Sequence, residues 1–313
     1  MKIATFHFNW SDNKHFDRMT RVLIHSALEL GIEVDVVSLG SFESGSRHFK
    51  TDNTYKMRAW NAYMQEQPDG TDILFMDSDT QLLRCPRHVF DQPFDMAMTI
   101  RSESPRPNTG VLFVRVSPKT KMFFSAWLAT QEMMYKNLTP YMELFKQYRG
   151  LNQTALMYLR TRGHMEHLDI LELPCVKYNA CTEDHIKKEP SDRVAIHYHY
   201  GDLRHEMLSR RRRMPNGLGQ TMAHRNIRAH VARWREAEKK ASDIQIEDYV
   251  YTLRTQIRAD EHTRPDFPAA KKARGRDRTR QQRRSQNERL LASRRRDAAR
   301  VEGAGRTPFR LTR

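Results

Sequence analysis

The sequence has few cysteines and no long apolar run, and both shortages limit what the protein can be. Three cysteines, Cys85, Cys175 and Cys181, occur in 313 residues. They are too sparse for a disulfide-stabilised scaffold and fit a reducing compartment. Because no Cys-x-x-Cys pair is present, a thiolate zinc site is not expected. The sequence has neither the apolar run of a signal peptide nor that of a membrane span, so we expect a cytoplasmic protein without a transmembrane segment.

The basic residues are concentrated in the last third of the sequence. The formal net charge is +16, but residues 1–202 have a net charge of −1 and residues 203–313 a net charge of +17. Aromatic residues are scarce after Tyr251, so stacking on single-stranded bases is not indicated. The basic segment is therefore either a solvated charge run or a segment that docks on nucleic acid or another polyanion, by phosphate attraction without sequence readout.

Short apolar strands alternate with amphipathic helices in the first two thirds of the sequence, as at residues 2–8, 16–30 and 32–39. Such strand-helix-strand units build parallel sheets, so the pattern predicts an α/β fold. Few large apolar residues remain after about residue 263, too few to offset the entropy of ordering the chain. We predict a catalytic domain over residues 1–205, a basic helical extension over 206–262 and a disordered Arg-rich tail over 263–313. Packing of a helix predicted at 221–241 on the first domain is left open.

Two carboxylates directly follow an apolar strand. Residues 73–76 lead into Asp77-Ser78-Asp79-Thr80, and ligands of open parallel sheets bind beyond the carboxyl ends of the strands. Carboxylate oxygens suit Mg²⁺ or Mn²⁺, which would neutralise the charge that builds on a departing diphosphate. The same residues also fit a solvated turn, but the preceding strand favours a metal site.

Further motifs follow in a fixed order over residues 1–205. They are Lys56 with Trp60, Asp77-Ser78-Asp79-Thr80, Asn108-Thr109-Gly110-Val111, Asn152-Gln153, Leu173-Pro174 with Tyr178-Asn179, and Ile196-His197-Tyr198 with Gly201 and Arg204. This ordered set resembles the retaining glycosyltransferases of family 8, the group of glycogenin and the bacterial galactosyltransferases. The resemblance implies a GT-A fold, a Rossmann-like mixed sheet flanked by helices. It also implies metal-dependent transfer of a sugar from a nucleotide-diphosphate donor to an acceptor hydroxyl, with retention of configuration. A UDP-sugar is the leading candidate for the donor.

The resemblance also implies roles for single residues. Asp77 and Asp79 would bind the metal, and His197 or His199 would complete the coordination. The reaction would take place beside Gln153 and Asn152. The donor would contact a third set of residues, namely Phe6, Phe8, Asn9, Lys56, Asp77, Ser78, Asn108, Gly110 and Arg204.

Three positions depart from the family pattern. Asn152 stands where the family has Asp, and an amide cannot act as a base. His197 lies one residue too far from Gly201, which leaves His199 as a second candidate, although the strand end favours His197. Arg204 replaces a Lys and offers a planar fork to a diphosphate.

Other functions stay open at this stage. The acceptor could be a glycan, a protein or a modified DNA base. The departures from the pattern motivate an alternative, a nucleic-acid-binding protein with a catalytically degenerate sugar-nucleotide domain. A phosphotransfer enzyme or nuclease using Asp77 and Asp79 would need further carboxylates, of which Asp202 is the nearest. We expect His164, His167, His185 and His205 at the surface, and Trp60 and Trp127 in the core.

Overall fold

A computed structural model describes the chain at residues 1–10, 15–42, 49–101, 106–148, 150–182, 185–186, 192–198 and 222–254. Within these ranges, side chains are not described at residues 8–10, 15, 39–42, 49–54 and 222–228. The chain divides into two units, Met1–Glu261 and His262–Arg313, and the described residues belong to the first. The predicted Arg-rich tail lies outside the described residues, as do His199, Asp202, Arg204 and His205.

The strands form one large sheet and one small ribbon. They are β1 (Lys2–Trp10), β2 (Val34–Phe42), β3 (Asp72–Asp77), β4 (Thr80–Leu82), β5 (Met96–Ile100), β6 (Pro107–Arg115), β7 (Ile170–Pro174) and β8 (Ala195–His197). The large sheet has the order β2-β1-β3-β6-β5-β7, in which β6 runs antiparallel to both neighbours and the other pairs are parallel. Strands β4 and β8 pair antiparallel as a separate ribbon.

The helices follow the order expected for an α/β chain. They are α1 (His15–Leu28), α2 (Phe49–Glu66), α3 (Pro118–Lys136), α4 (Met142–Tyr148), α5 (Leu151–Thr161), α6 (Cys175–Tyr178) and α7 (Met222–Lys240). Short 3-10 turns lie at Arg87–Asp91, Thr139–Tyr141, Ala241–Asp243 and Ile246–Tyr249. Helix α3 begins where a proline at the first helical position follows a reciprocal cap, in which the Ser117 and Thr120 side chains each accept from the other's backbone N–H. None of the described helices combines the length and apolarity needed to cross a bilayer.

The central strand β3 shows how the helices are layered. Leu74 joins the apolar cluster that contains Leu23 of α1. Its neighbour Phe75 lies 4.8 Å from the ring of Trp60 in α2 and 5.4 Å from that of Phe124 in α3, measured between ring centroids. Because successive side chains of a strand point to opposite faces, α1 covers one face of the sheet and α2 and α3 cover the other. The predicted mixed sheet flanked by helices is therefore confirmed.

Helix α7 packs on α1 and on the β4–β8 ribbon. Its Trp234 is 1% exposed, receives the Arg18 guanidinium at 5.4 Å from the ring centroid, and meets Tyr198 edge-on at 6.5 Å. Beyond α7, the backbone N–H of Tyr251 donates to the carbonyl oxygen of Val36 in β2 at 2.9 Å. The segment predicted as a basic extension therefore contains a helix that is packed on the first domain, which the sequence left open.

Candidate metal and nucleotide-sugar site

Several predicted site residues meet at one edge of the large sheet. Strands β1 and β3 are parallel and pair Phe6, in the middle of β1, with Asp77, the last residue of β3. Strand β6 is antiparallel to β3 and pairs Val111 with Met76, which brings Gly110 to the same edge. The topology thus brings residues more than thirty positions apart in the sequence to one edge of the sheet.

The β4–β8 ribbon brings a histidine to the two aspartates. Strand β3 ends at Asp77, a two-residue turn follows, and β4 then pairs Thr80 with His197. The backbone N–H of Tyr198 also donates to the carbonyl oxygen of Asp79 at 2.8 Å. As a result, His197 Nε2 lies 3.1 Å from Asp79 Oδ1 and 3.6 Å from Asp77 Oδ2. One ligand atom from each of the three residues lies within 4.8 Å of the others.

A buried amide sets the orientation of the His197 ring. Asn179 Nδ2 donates to Thr99 Oγ1 at 2.8 Å and to the carbonyl oxygen of Asn108 at 3.2 Å. These two acceptors turn Asn179 Oδ1 towards His197 Nδ1, at 3.1 Å. Since Oδ1 only accepts, His197 Nδ1 carries the proton, and Nε2 faces the carboxylates. This is the arrangement in which a metal-binding imidazole is oriented by its other nitrogen.

The surroundings of His197 act on its pKa in opposite directions. Burial lowers the pKa, because the ring is removed from water, whereas the carboxylate of Asp79, and then that of Asp77, raises it. The carboxylates prevail, and the pKa of His197 lies above its ordinary value. The pocket thus favours positive charge at Nε2, from a proton or a metal ion.

Lys56 lies at the same edge, where it contacts a carboxylate. It is 6% exposed, forms an ion pair with Asp77 Oδ1, and places its ammonium 4.2 Å from the Trp60 ring centroid. A buried cation needs such partners to offset its desolvation. Lys56 was expected to contact the donor, and it lies beside a predicted metal ligand of the donor site. Trp60 and Trp127 are core residues as expected, both 0% exposed.

Gly110 gives the His197 ring its space. A Cβ at this position would lie 2.3 Å from His197 Cε1 and 2.4 Å from Nδ1, far inside contact distance. The Gly110 backbone N–H donates to Asn108 Oδ1 at 2.9 Å, and Asn108 Nδ2 donates to Cys181 Sγ at 3.2 Å. The Asn108 side chain and the Gly110 backbone N–H, which were expected to face the donor, therefore form hydrogen bonds within the protein. These hydrogen bonds hold the turn beside His197.

Asn152 and Gln153 lie in the first turn of α5. Asn152 is buried, and its Nδ2 donates to Thr109 Oγ1 at 2.7 Å while its carbonyl oxygen accepts from Trp127 Nε1 at 2.8 Å. Asn152 therefore ties α5 to the start of β6. Gln153 is half-buried, and within the described part of the chain no hydrogen bond joins its side chain to Asp77, Asp79 or His197.

The remaining predicted donor residues are less fully described. Phe6 and Ser78 are buried, at 7% and 6% exposure, and both adjoin Asp77 through pairing or sequence. Phe8 and Asn9 lie in β1, which continues to Trp10 beside β2. His199 and Arg204 lie outside the described residues.

Two features of this region were not anticipated. No role was predicted for Asn179, although its Tyr-Asn motif was part of the resemblance. His185 was expected at the surface but is 0% exposed, and it lies with Cys175 and Cys181 in a second cluster of ligand-type atoms within 4.8 Å. The spacing rule for thiolate pairs missed this group because its members are six and four residues apart. His164 and His167 are exposed, as expected.

Residues 10–214 match the model of the nucleotide-diphospho-sugar transferase family. The chain belongs to this family. Enzymes of this family transfer a sugar from a nucleotide-diphosphate donor, so the protein is a glycosyltransferase that acts on such a donor and an acceptor. No curated protein matches the chain.

Solved structures similar to this nucleotide-diphospho-sugar transferase are also glycosyltransferases. One is involved in glycosylation of the major capsid of PBCV-1, with 14% identity and a TM-score of 0.44 over 74% of this chain and 100% of that chain. A second is GlyE of Streptococcus pneumoniae, with 11% identity and a TM-score of 0.48 over 82% of this chain and 67% of that chain. A third is the galactosyltransferase LgtC, with 11% identity and a TM-score of 0.46 over 79% and 98%.

Proposed function

We propose that this glycosyltransferase is metal-dependent, uses Mn²⁺ or Mg²⁺ with a UDP-sugar, and transfers the sugar with retention of configuration. The observation that supports metal dependence is the group Asp77, Asp79 and His197 at the carboxyl edge of the sheet. Retention and the choice of UDP rest on the resemblance to family 8.

The three side chains fit a divalent cation chemically. Two carboxylates supply hard oxygen ligands and negative charge, and the imidazole supplies one nitrogen. Asp79 and His197 are 5% and 3% exposed, so their rotamers are restricted before a metal arrives. An imidazole ligand favours a transition ion, hence Mn²⁺ over Mg²⁺.

Residues of this chain would prepare the site in three ways. Asn179 holds the proton at His197 Nδ1 and so keeps Nε2 facing the carboxylates. Lys56 adds a fixed positive charge beside Asp77, where donor phosphates would be attracted. Gly110 admits the ring of His197. When bound, the metal ion supplies Lewis-acid stabilisation of the departing diphosphate.

Asn152 does not act as a base in this proposal. Its amide donates to Thr109 Oγ1, so its role is to position the start of β6 and the Asn108 turn. Gln153, one residue further along α5, is the side chain that the resemblance assigns to the anomeric carbon. The acceptor in this proposal is a hydroxyl group of a glycan, a protein or a modified DNA base.

The test is release of free nucleotide from a panel of sugar nucleotides, with and without Mn²⁺, because no acceptor has to be known. We expect Mn²⁺-dependent release from one donor in the wild type and its loss in Asp79→Asn. Asp69→Asn is the matched control, since Asp69 is an exposed aspartate paired with Lys121 away from the site. Release that needs no metal, or that survives Asp79→Asn, would contradict the proposal. An absence of release from every donor, with no nucleotide binding, would favour the degenerate-domain alternative.

A further inference from the structure

The second cluster of ligand-type side chains lies behind the candidate metal site and is built differently. Cys175, Cys181 and His185 are 0%, 3% and 0% exposed. Their ligand atoms lie within 4.8 Å of one another, and the two sulfurs are 3.9 Å apart. All three lie on the segment between β7 and β8, so the cluster is local in sequence. Because all three are buried, the cluster is closed to solvent.

The spacing of the two sulfurs fits a shared metal ion. Zinc bound tetrahedrally at about 2.3 Å from each thiolate holds two sulfurs about 3.8 Å apart. A disulfide would require about 2.05 Å, so the sulfurs of this dithiol are not bonded to each other. Thiolate and imidazole ligands together favour zinc over Mg²⁺ or Mn²⁺, which prefer oxygen.

The surroundings of the two sulfurs supply hydrogen bonds. The Cys175 and Cys181 sulfurs lie within hydrogen-bond distance of each other, and either thiol can be the donor. The Asn108 amide also donates to Cys181 Sγ, at 3.2 Å. Two buried thiols and a histidine can also pack together through hydrogen bonds without a metal ion. The experiment below distinguishes a metal site from such a metal-free cluster.

We propose that Cys175, Cys181 and His185 bind a structural zinc ion. These side chains would supply three of the four ligands of a tetrahedral ion, and its binding would release thiol protons. This site is distinct from Asp77, Asp79 and His197 in both residues and ligand chemistry, so the inference does not depend on the proposed function.

Such an ion would brace the residues that orient His197. Cys175 Sγ lies 3.1 Å from the carbonyl oxygen of Asn179, and the carbonyl oxygen of Ala180 accepts from the backbone N–H of His197 at 2.9 Å. The cluster therefore encloses the turn that carries Asn179 and pairs with β8. Loss of zinc would loosen this turn and weaken metal binding at the aspartates.

The experiment measures zinc and cobalt in the full-length chain. The wild type, dialysed against a weak chelator, is expected to retain about one zinc ion per chain. Replacement by Co²⁺ should give thiolate-to-metal charge-transfer absorption, which oxygen and nitrogen ligands alone do not produce. Cys175→Ser and Cys181→Ser should lose both signals. Cys85→Ser, which removes the third cysteine, and Asp79→Asn, which removes the oxygen site, should keep both.

Two results would overturn the proposal. One is wild-type protein that holds no zinc and gives no charge-transfer absorption with Co²⁺, with all three cysteines reacting as free thiols. The other is a disulfide between Cys175 and Cys181, seen as the loss of two reactive thiols after denaturation. Both are measured on the wild type, so they remain decisive even if a serine variant fails to fold.

Discussion

Replacing Gly110 by alanine tests how the site is packed. The backbone of Gly110 lies outside the left-handed region, so alanine costs nothing in conformation and its methyl group is the only change. That methyl would lie 2.3 Å from His197 Cε1, whereas Cβ contacts under 3.0 Å are essentially never seen and ordinary contact begins at 3.4 Å. The ring or the strand must therefore move by at least 0.7 Å, and by 1.1 Å to reach ordinary contact. His197 cannot turn away easily, because Asn179 holds Nδ1 and Asp79 faces Nε2.

The expected cost has two parts. Overpacking at a buried position destabilises a protein by about 1–3 kcal/mol. Displacement of one metal ligand should weaken Mn²⁺ binding by about 10- to 100-fold, the range for changes that misorient a ligand. If the clash with the ring is the cause, Gly110→Ala should lower the free energy of unfolding by less than about 1 kcal/mol when His197 is already alanine. The reason is that the effects of substitutions at contacting residues are not additive.

Urea unfolding and calorimetric titration with Mn²⁺ measure the two parts separately. The four proteins of the cycle are the wild type, the two single variants and the double variant. The reasoning is refuted if Gly110→Ala binds Mn²⁺ within twofold of the wild type, or if its destabilisation is the same with and without the His197 ring.

Three further predictions concern other parts of the molecule. Asn179→Ala should weaken Mn²⁺ binding by about 10- to 100-fold with both aspartates intact, and unchanged affinity in titration would contradict the orienting role. Burial, and then the charges of Arg193 and Arg233, lower the pKa of His230 to about 4. In the unfolded chain a histidine binds its proton near pH 6.5. The free energy of unfolding should therefore fall by at most about 2 kcal/mol when the pH is lowered from 7 to 5. Urea unfolding at both pH values should show this loss, reduced in His230→Gln, and an equal loss in both proteins would refute it. Removal of residues 262–313 should weaken polyanion binding in a salt-dependent way and leave donor hydrolysis unchanged; equal polyanion binding would refute a docking role for the tail.

Sequence patterns predicted the sheet because its central strands are buried on both faces and stand out as short continuous apolar runs. The apolar run at residues 73–76 gave β3, and the alternation of strands and helices gave the layered fold. Boundaries were less accurate: β1 continues to Trp10, where pairing with β2 extends it, and α1 ends at Leu28 rather than at residue 30. The short strand β4 was not predicted, because three residues show no period of their own and pair only through β8.

The site could be predicted only where its residues lie in recognisable motifs. Asp77 and Asp79 follow a strand, and His197 ends one. Asn179 acts through hydrogen bonds to partners far apart in the sequence, which no local pattern encodes. His185 was misplaced because a polar residue in a short polar segment reads as exposed, whereas its burial arises from the cysteines and Arg193 packed around it.

The central claim is that Asp77, Asp79 and His197 hold the divalent ion of a sugar-nucleotide site. Crystals grown with Mn²⁺ and UDP, measured for anomalous scattering at the manganese edge, test it most directly. The account predicts an anomalous peak coordinated by Asp79 and His197 Nε2, with Asp77 beside it and the diphosphate of UDP bound to the same ion. A manganese peak elsewhere, or UDP bound at this edge without manganese, would contradict the account.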